Sequence, residues 1–364
     1  MMYVNDKRIV MTLDAGGTNF VFSAMQGGAE IVDPVILPAC AHCLNSCMNN
    51  LIEGFTVVKK QLPDSPVAIS FAFPGPADYA RGIIGDLPNF PSFRGGVALG
   101  PFLQRHFGVP VFINNDGNLF AYGEALAGVL PELNRRLEQA GSMKRYQNLL
   151  GITLGTGFGA GVVLNGTLHQ GDNAAGGDVW IFRNKKYRNC IAEESVSIRA
   201  VKRIYAERSG YTGELTPKDI FEIAEGIKSG DMQAARDSFA ELGEMAGDAI
   251  AYAITLIDGI VVLGGGLAGA SKYIMPTLIK ELNSSITMMD GTIFPRLQMK
   301  AFDLDCEQDF ECFARGNAVE ISIPGINETV GYDPMKRIGV AISKLGASRA
   351  VSLGAYAFAL NHLS

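Results

Sequence analysis

Residues 9–25 of the sequence, IVMTLDAGGTNFVFSAM, decide the fold. Two apolar runs in this segment predict two short buried strands, and DAGGTN at 14–19 predicts a tight turn between them. A glycine pair at 27–28 then turns the chain again, into EIV at 30–32. The segment therefore predicts a three-stranded meander with a glycine-bent first corner.

The turn at 14–19 has the features needed to hold a polyphosphate. Gly16 and Gly17 let backbone N–H groups approach anionic oxygens, because no Cβ stands in the way. Thr18 and Asn19 supply further donors, and the Asp14 carboxylate can hold Mg²⁺ through water. Neither Gly-x-Gly-x-x-Gly nor a Gly-Lys-Ser/Thr P-loop occurs here. An ordinary hairpin turn remains the alternative.

The same pattern of apolar run, glycine turn and second apolar run occurs again later in the chain. The run LLGITL at 149–154 leads into GTGFG at 155–159, and after a second apolar run an Asn-Gly turn stands at 165–166. A third glycine turn, GGG, follows the apolar run IVVL at 260–263. The second turn is a candidate to close on the β- and γ-phosphates from the other side, and the third turn makes a chance pattern less plausible. Their candidate residues are Gly155, Thr156, Gly157, Gly264, Gly265 and Gly266.

Between the two hairpins, strand patterns alternate with helical ones. The strand at 109–113 ends at NNDGN, 114–118, and a helix is predicted over 119–130. Such alternation indicates a largely parallel sheet, whose ligands gather at the carboxyl ends of the strands. Phosphoryl transfer to an alcohol needs a carboxylate to accept the hydroxyl proton, so Asp116 is the candidate base. The alternative is that Asp116 or Asn118 only caps the helix.

The composition is that of a globular protein without a nucleic-acid surface. With 364 residues and 48% hydrophobic content, the chain is longer than one ordinary core, so we expect two domains. A formal net charge of -6 disfavours nucleic acid as a partner. The first eight residues, MMYVNDKR, lack the apolar core of a signal peptide, and no stretch approaches a membrane span. We therefore expect a cytoplasmic protein that acts on a small molecule.

The six cysteines are expected to be reduced thiols. Cys40, Cys43 and Cys47 have offsets of three and seven residues, which predicts one face of a helix, where cysteine acts as a small hydrophobe. A metal site is the alternative, but it lacks a fourth ligand unless His42 turns round from its own face.

Taken together, these segments resemble the ROK family of bacterial sugar kinases. The matching pieces keep the family order over about residues 9–270. They are DAGGT at 14–18, PGP at 74–76, PNFP at 88–91, NDGN at 115–118 with GE at 123–124, LGTG at 154–157 and VLGGG at 262–266, with residues 345–355 resembling the closing helix.

The resemblance implies an α/β, two-domain actin-like ATPase (ribonuclease H-like) fold with a cleft between lobes that close over the substrate. Residues 1–117, completed by a C-terminal helix at about 345–364, are expected to form the first lobe, and residues 118–344, with an extra segment at about 303–343, the second. The implied reaction moves the γ-phosphoryl of Mg-ATP to a hexose hydroxyl, most often of glucose. The implied sugar-side residues are Gly75, Asn89 and Asn115, with Asp116 as base.

Two departures concern the sugar. Where the family usually has Ala-Gly-Glu-x-Gly-His, this chain has AGGDVW at 175–180, so Asp178 is the candidate to replace the glutamate. The family's cysteine-rich zinc loop has shrunk to NCIAE at 189–193, which predicts no structural zinc, while Glu193 still fits the glutamate that contacts sugar. The open alternatives are a kinase for an N-acetylhexosamine or fructose, a non-catalytic sugar or nucleotide sensor, and a sugar-independent ATPase. The sequence also leaves a homodimer open.

Overall fold

The computed structural model describes residues 3–16, 18–86 and 90–363. Contacts divide the chain into two compact units. The first unit comprises Met1–Pro131, Gly161–Gly177 and Leu345–Ser364. The second unit comprises Glu132–Ala160 and Asp178–Lys344.

Strands and helices alternate along much of the chain. The described strands are β1 Val10–Ala15, β2 Asn19–Gln26, β3 Ala29–Glu30, β4 Val35–Pro38, β5 Ala68–Ala72, β6 Ala77–Asp78, β7 Ile83–Ile84, β8 Val111–Asn114, β9 Leu149–Leu154, β10 Phe158–Leu164, β11 Thr167–His169, β12 Ile260–Gly264, β13 Ser285–Thr287, β14 Ile293–Pro295, β15 Lys300–Asp303, β16 Val319–Ser322, β17 Thr329–Tyr332 and β18 Arg337–Ile342. The described α-helices are α1 Leu44–Gln61, α2 Leu99–Phe107, α3 Asp116–Ala127, α4 Val129–Gln139, α5 Ile198–Ser209, α6 Pro217–Ala224, α7 Met232–Ile257, α8 Ser271–Leu282, α9 Glu307–Arg315 and α10 Ala347–His362.

The main sheet of the first unit has the order β3-β2-β1-β5-β8, with β4 paired to β2. β1 and β2 form the predicted antiparallel hairpin. β5 runs parallel to both β1 and β8. The carboxyl ends of β1, β5 and β8 therefore lie at one edge of the sheet.

One face of this sheet carries an aromatic core that holds the polypeptide around residues 90–93. The rings of Phe90 and Phe93 have centroids 5.5 Å apart, and Phe73, just after β5, lies 5.6 Å from Phe93. All three side chains are fully buried. Burial of each stabilises the fold by about 1.5–3 kcal/mol.

The other face is covered by α10, which packs against β1, β5 and α3. Leu353, Tyr356 and Leu360 of this helix are buried with Val10 and Ala68 of the strands. The helix that ends the described chain thus belongs to the unit that begins it.

A second six-stranded sheet has the order β11-β10-β9-β12-β18-β15. β12 runs parallel to β9 and to β18. The long helix α7 packs along α8. The segment at 303–343 contains α9 and the exposed hairpin β16-β17, but its last strand, β18, lies inside this second sheet, between β12 and β15.

Several predicted boundaries are wrong in informative ways. The helix predicted from residue 119 begins at Asp116, and the second glycine turn ends at Gly157 because Phe158 already belongs to β10. Cys40 and Cys43 do not share a helix face with Cys47, because α1 begins only at Leu44. No helix among the described residues is long and apolar enough to cross a membrane.

Candidate functional site

Strand register places the two candidate acidic segments of the first unit at the same sheet edge. Asp14 of β1 is opposite Ala72 of β5, and Ala72 is opposite Asn114 of β8. The glycine turn after Asp14 and the segment after Asn114 therefore leave the same edge of the sheet, on either side of β5. Gly75, three residues beyond β5, leaves the same edge and is exposed.

The start of α3 is fixed by Asn115. Its Oδ1 accepts a hydrogen bond from the N–H of Gly117 at 2.8 Å, which makes Asn115 the N-cap. The proposed alternative, a cap at Asp116 or Asn118, is therefore wrong. Asp116 is the first helical residue, and its own Oδ1 accepts from the same N–H at 2.9 Å.

A buried amide network beneath this turn was missed in the sequence. Asn114 is fully buried, and its Oδ1 accepts from the N–H of Asn115 at 2.8 Å and from Nδ2 of Asn118 at 3.0 Å. Its Nδ2 donates to Oε1 of Gln170 at 3.0 Å. Three asparagines within five residues were a visible signal, but nothing in the sequence pointed to Gln170, 56 positions away.

The surroundings of Asp116 raise the pKa of its carboxyl group. Desolvation raises its pKa, and the nearby negative charge of Asp14 raises it further, while the N–H groups of Gly117 and of Asp116 itself lower it. Its side chain still has access to solvent. A solvent-accessible carboxylate with a raised pKa is suited to accept a proton from an alcohol.

α3 is supported by backbone contact with α10. A Cβ added to Gly123 would overlap the carbonyl group of Ala350, and one added to Gly354 would overlap that of Leu119. Each helix therefore contributes one glycine that lies against a backbone carbonyl of the other helix. This contact fixes the helix whose first turn carries Asp116.

In the second unit, the glycine turn after β9 is braced by residues 193–198. The N–H of Ile198 donates to the carbonyl of Gly155 at 2.9 Å, and the N–H of Phe158 donates to Oε2 of Glu193 at 3.1 Å. A Cβ on Gly157 would lie 2.8 Å from the same carboxylate oxygen. Arg199 donates to the other oxygen of Glu193 at 3.1 Å. Glu193 thus lies directly against the second glycine turn.

The third glycine turn lies beside the second. Gly264 ends β12, and Gly265 has φ +87°, a conformation that glycine adopts freely. A Cβ on Gly265 would overlap the backbone of Leu154, the residue before Gly155. Gly266 opens a short 3-10 turn, Gly266–Ala270. The second and third glycine turns, which carry the candidate nucleotide-binding residues of this unit, therefore lie close together.

The remaining candidates are placed as follows. Asp178 is exposed and precedes the 3-10 turn Val179–Ile181, near the exposed Trp180. Thr18 and Asn19 are exposed, and Gly16 is partly buried. Gly17 and Asn89 lie outside the described residues. Within the described residues, no group of three or more His, Cys, Asp or Glu side chains forms a metal cluster.

Comparisons with known proteins agree with this architecture. A sequence model described as ROK family matches residues 10–294. The crystal structure of a glucokinase from Parabacteroides distasonis is 69% identical, covers 100% of both chains and superposes with a TM-score of 0.91. A glucokinase from Thermotoga maritima is 25% identical over 299 residues, 73% of this chain and 88% of that protein.

A more distant structure supports the fold alone. It is a ROK family glucokinase from Streptomyces griseus in complex with glucose and AMPPNP, with 16% identity, a TM-score of 0.60 and coverage of 96% of this chain and 98% of that one. Together these likenesses confirm the α/β, actin-like ATPase fold predicted from the sequence.

Proposed function

Because the chain belongs to the ROK family, we propose that it is an ATP-dependent hexose kinase that transfers the γ-phosphoryl group of ATP to a hydroxyl of glucose. The observation that carries this proposal is the 69% identity, over the whole of both chains, to the Parabacteroides distasonis glucokinase. The local geometry around Asp116 supports it independently, because it supplies the acceptor that phosphoryl transfer to an alcohol requires.

In this proposal Asp116 accepts the proton of the attacking hydroxyl as the new P–O bond forms. Its carboxylate stands at the start of α3, held by the Asn115 cap and by the buried network around Asn114. Such preorganisation matters because catalysis in a loose phosphoryl-transfer transition state is mostly positioning. Neighbouring Asn115 is proposed to hold a sugar hydroxyl.

ATP is proposed to bind as its magnesium complex, in which the metal neutralises charge on the phosphates. Asp14 is suited to hold this metal, because its carboxylate is exposed at the end of β1 and close enough to Asp116 to raise the pKa of that group. Mg²⁺ usually keeps several waters and takes one or two carboxylates in addition to phosphate oxygens. The residues proposed to bind Mg-ATP are Asp14, Gly16, Gly17, Thr18, Asn19, Gly155, Thr156, Gly157, Gly264, Gly265 and Gly266.

The sugar is proposed to contact Gly75, Asn89, Asn115, Asp178 and Glu193. Of these, Asp178 sits in the segment that departs from the family pattern, and Glu193 is already engaged by Phe158 and Arg199. Sugar selectivity is therefore the part of the proposal that most needs a direct measurement.

The test is a coupled ADP-release assay over glucose, N-acetylglucosamine, N-acetylgalactosamine and fructose, with and without Mg²⁺. We expect Mg-dependent release with glucose as the preferred acceptor. Asp116→Asn should lower kcat by about 10²–10⁴-fold, the usual contribution of a general base, and Asp64→Asn, at an exposed loop carboxylate of the same unit, should not.

The assay separates the alternatives. Preference for another sugar would reassign the substrate, and ADP release without any sugar would favour an ATPase. Sugar binding by calorimetry without turnover would favour a sensor. Full turnover by Asp116→Asn would remove Asp116 from the mechanism.

A further inference from the structure

Two cysteines outside the proposed catalytic residues are held in one tight turn. The segment Cys40-Ala41-His42-Cys43 has C-x-x-C spacing, and the N–H of Cys43 donates to the carbonyl of Cys40 at 2.9 Å. A turn closed by this bond keeps its first and last Cα atoms within about 7 Å. Disulfides typically span Cα separations of about 4.4–6.8 Å. The backbone therefore keeps Cys40 and Cys43 close enough for a change in the turn to bring them into a bonded geometry.

The two thiols are accessible and chemically unequal. Cys43 is exposed at the N-cap of α1, and Cys40 is partly exposed. The Ser46 hydroxyl donates to Sγ of Cys43 at 3.3 Å, and this bond, with the backbone N–H of Ser46, lowers the pKa of the Cys43 thiol. In contrast, burial raises the pKa of Cys47 to about 12. Because the thiolate is the nucleophile, Cys43 is the sulfur best able to react first.

The turn is tied on both sides to segments of the proposed active site. The N–H of Ala39 donates to the carbonyl of Thr18, in the first glycine turn, at 2.9 Å. The carbonyl of Ala41 accepts from the Ser92 hydroxyl at 2.7 Å and from its N–H at 3.3 Å. These bonds flank Cys40 directly. A change in the conformation of the turn must therefore strain one or both attachments.

From this placement we propose that Cys40 and Cys43 form a redox-sensitive dithiol whose closure to a disulfide disturbs the first glycine turn and residues 90–93. The oxidant class is a small-molecule disulfide. Its effect on catalysis rests on the proposed kinase function, whereas the sulfur chemistry does not.

The reaction is two successive thiol–disulfide exchanges. The Cys43 thiolate attacks one sulfur of the small disulfide, forming a mixed disulfide and releasing one small thiolate. The Cys40 thiol loses its proton and attacks Sγ of Cys43, which expels the second small thiolate and forms the Cys40–Cys43 bond. The protein loses two electrons and two protons, and the small disulfide becomes two thiols.

The first experiment identifies the bond. The chain carrying Cys47→Ala, Cys190→Ser, Cys306→Ser and Cys312→Ser is treated with oxidised glutathione and analysed by intact mass. We expect the loss of two hydrogens, reversed by dithiothreitol. In the same background, Cys40→Ser should stop at a glutathione adduct on Cys43, which traps the intermediate.

The second experiment measures the consequence. Hydrogen exchange at the Ala39 and Ser92 amides should accelerate on oxidation, because these N–H groups make the two attachments. Kinase kcat/KM should fall by about tenfold or more, since a displacement of about 1 Å at a site can cost about 10²-fold. The same background with Cys43→Ser should keep its turnover and its exchange rates under oxidant.

Each result decides a part of the proposal. Failure of the pair to close overturns it, and closure without faster exchange overturns the structural coupling. Faster exchange with unchanged turnover overturns the catalytic consequence. If the reduced chain phosphorylates no sugar, the proposed function fails, and mass and exchange still decide the dithiol.

Discussion

Because of the contact between α3 and α10, we predict that a glycine-to-alanine substitution inside a helix lowers stability, whereas such a substitution ordinarily raises it. Gly354 lies inside α10, where replacing glycine by alanine ordinarily stabilises a helix by about 1 kcal/mol. Here the added methyl would overlap the carbonyl of Leu119, a backbone group that cannot rotate away. Overpacking of this kind costs about 1–3 kcal/mol or more, and a backbone clash belongs at the upper end.

The net expectation for Gly354→Ala is therefore a loss of about 2 kcal/mol. At about 2–4 °C per kcal/mol for domains of this size, the melting temperature should fall by about 4–8 °C. Differential scanning calorimetry measures this directly. Gly269→Ala is the control for stability, because a Cβ there meets no atom within 4 Å.

The activity of Gly354→Ala tests whether the contact also positions the site. If α3 shifts to accept the methyl, Asp116 shifts with it, and kcat should fall at a temperature where the protein is fully folded. A melting temperature that rises, as in an ordinary helix, would refute the close approach of the two helices. Unchanged kcat with the expected loss of stability would limit the contact to a role in folding.

Three further predictions concern charges. Because the pKa of Asp116 is raised, acidification should abolish turnover at a pH above the ordinary Asp value of about 3.9. Asp14→Asn should move this acidic limb of the kcat/KM profile to lower pH, and an unmoved limb would contradict the effect of Asp14 on the pKa of Asp116. Glu193→Ala should raise the KM for ATP by about tenfold, which corresponds to the loss of one hydrogen bond of about 1.4 kcal/mol. Glu193→Gln can still accept a hydrogen bond from the glycine turn and should raise the KM less. Equal effects of the two substitutions would argue that the Glu193 side chain does not support the turn. Asp333→Ala should lower the free energy of unfolding, measured in urea, by about 3–5 kcal/mol, because the Arg337 side chain, which is 1% exposed, would lose its carboxylate partner. A loss below about 1 kcal/mol would show that water reaches the guanidinium group.

Local patterns in the sequence were sufficient for the two glycine hairpins. Each combines an apolar run, a glycine turn and a second apolar run, and the structure confirms β1-β2 and β9-β10 at those places. The exact start of a helix after a polar turn was harder to predict from the sequence. The residues at 116–118 have the composition of a loop, yet Asn115 caps them into the first turn of α3.

Long-range contacts could not be predicted because no local pattern encodes them. Gln170 reaches Asn114 only after β10 and β11 return the chain to the first unit. Gly123 and Gly354 look like unfavourable helix residues until their opposing carbonyls are known. The roles of Asp178 and Glu193 likewise depend on tertiary neighbours, and they stay predictions.

The placement of α10 also bears on how the protein is made. Its partners β1, β5 and α3 leave the ribosome long before it, and all of the second unit is synthesised in between. Until residues 347–362 emerge, the apolar sheet face formed by Val10 and Ala68 has no cover of its own. Nascent chains should therefore depend on holdase chaperones over this interval, and assembly of the first unit should wait for the last helix.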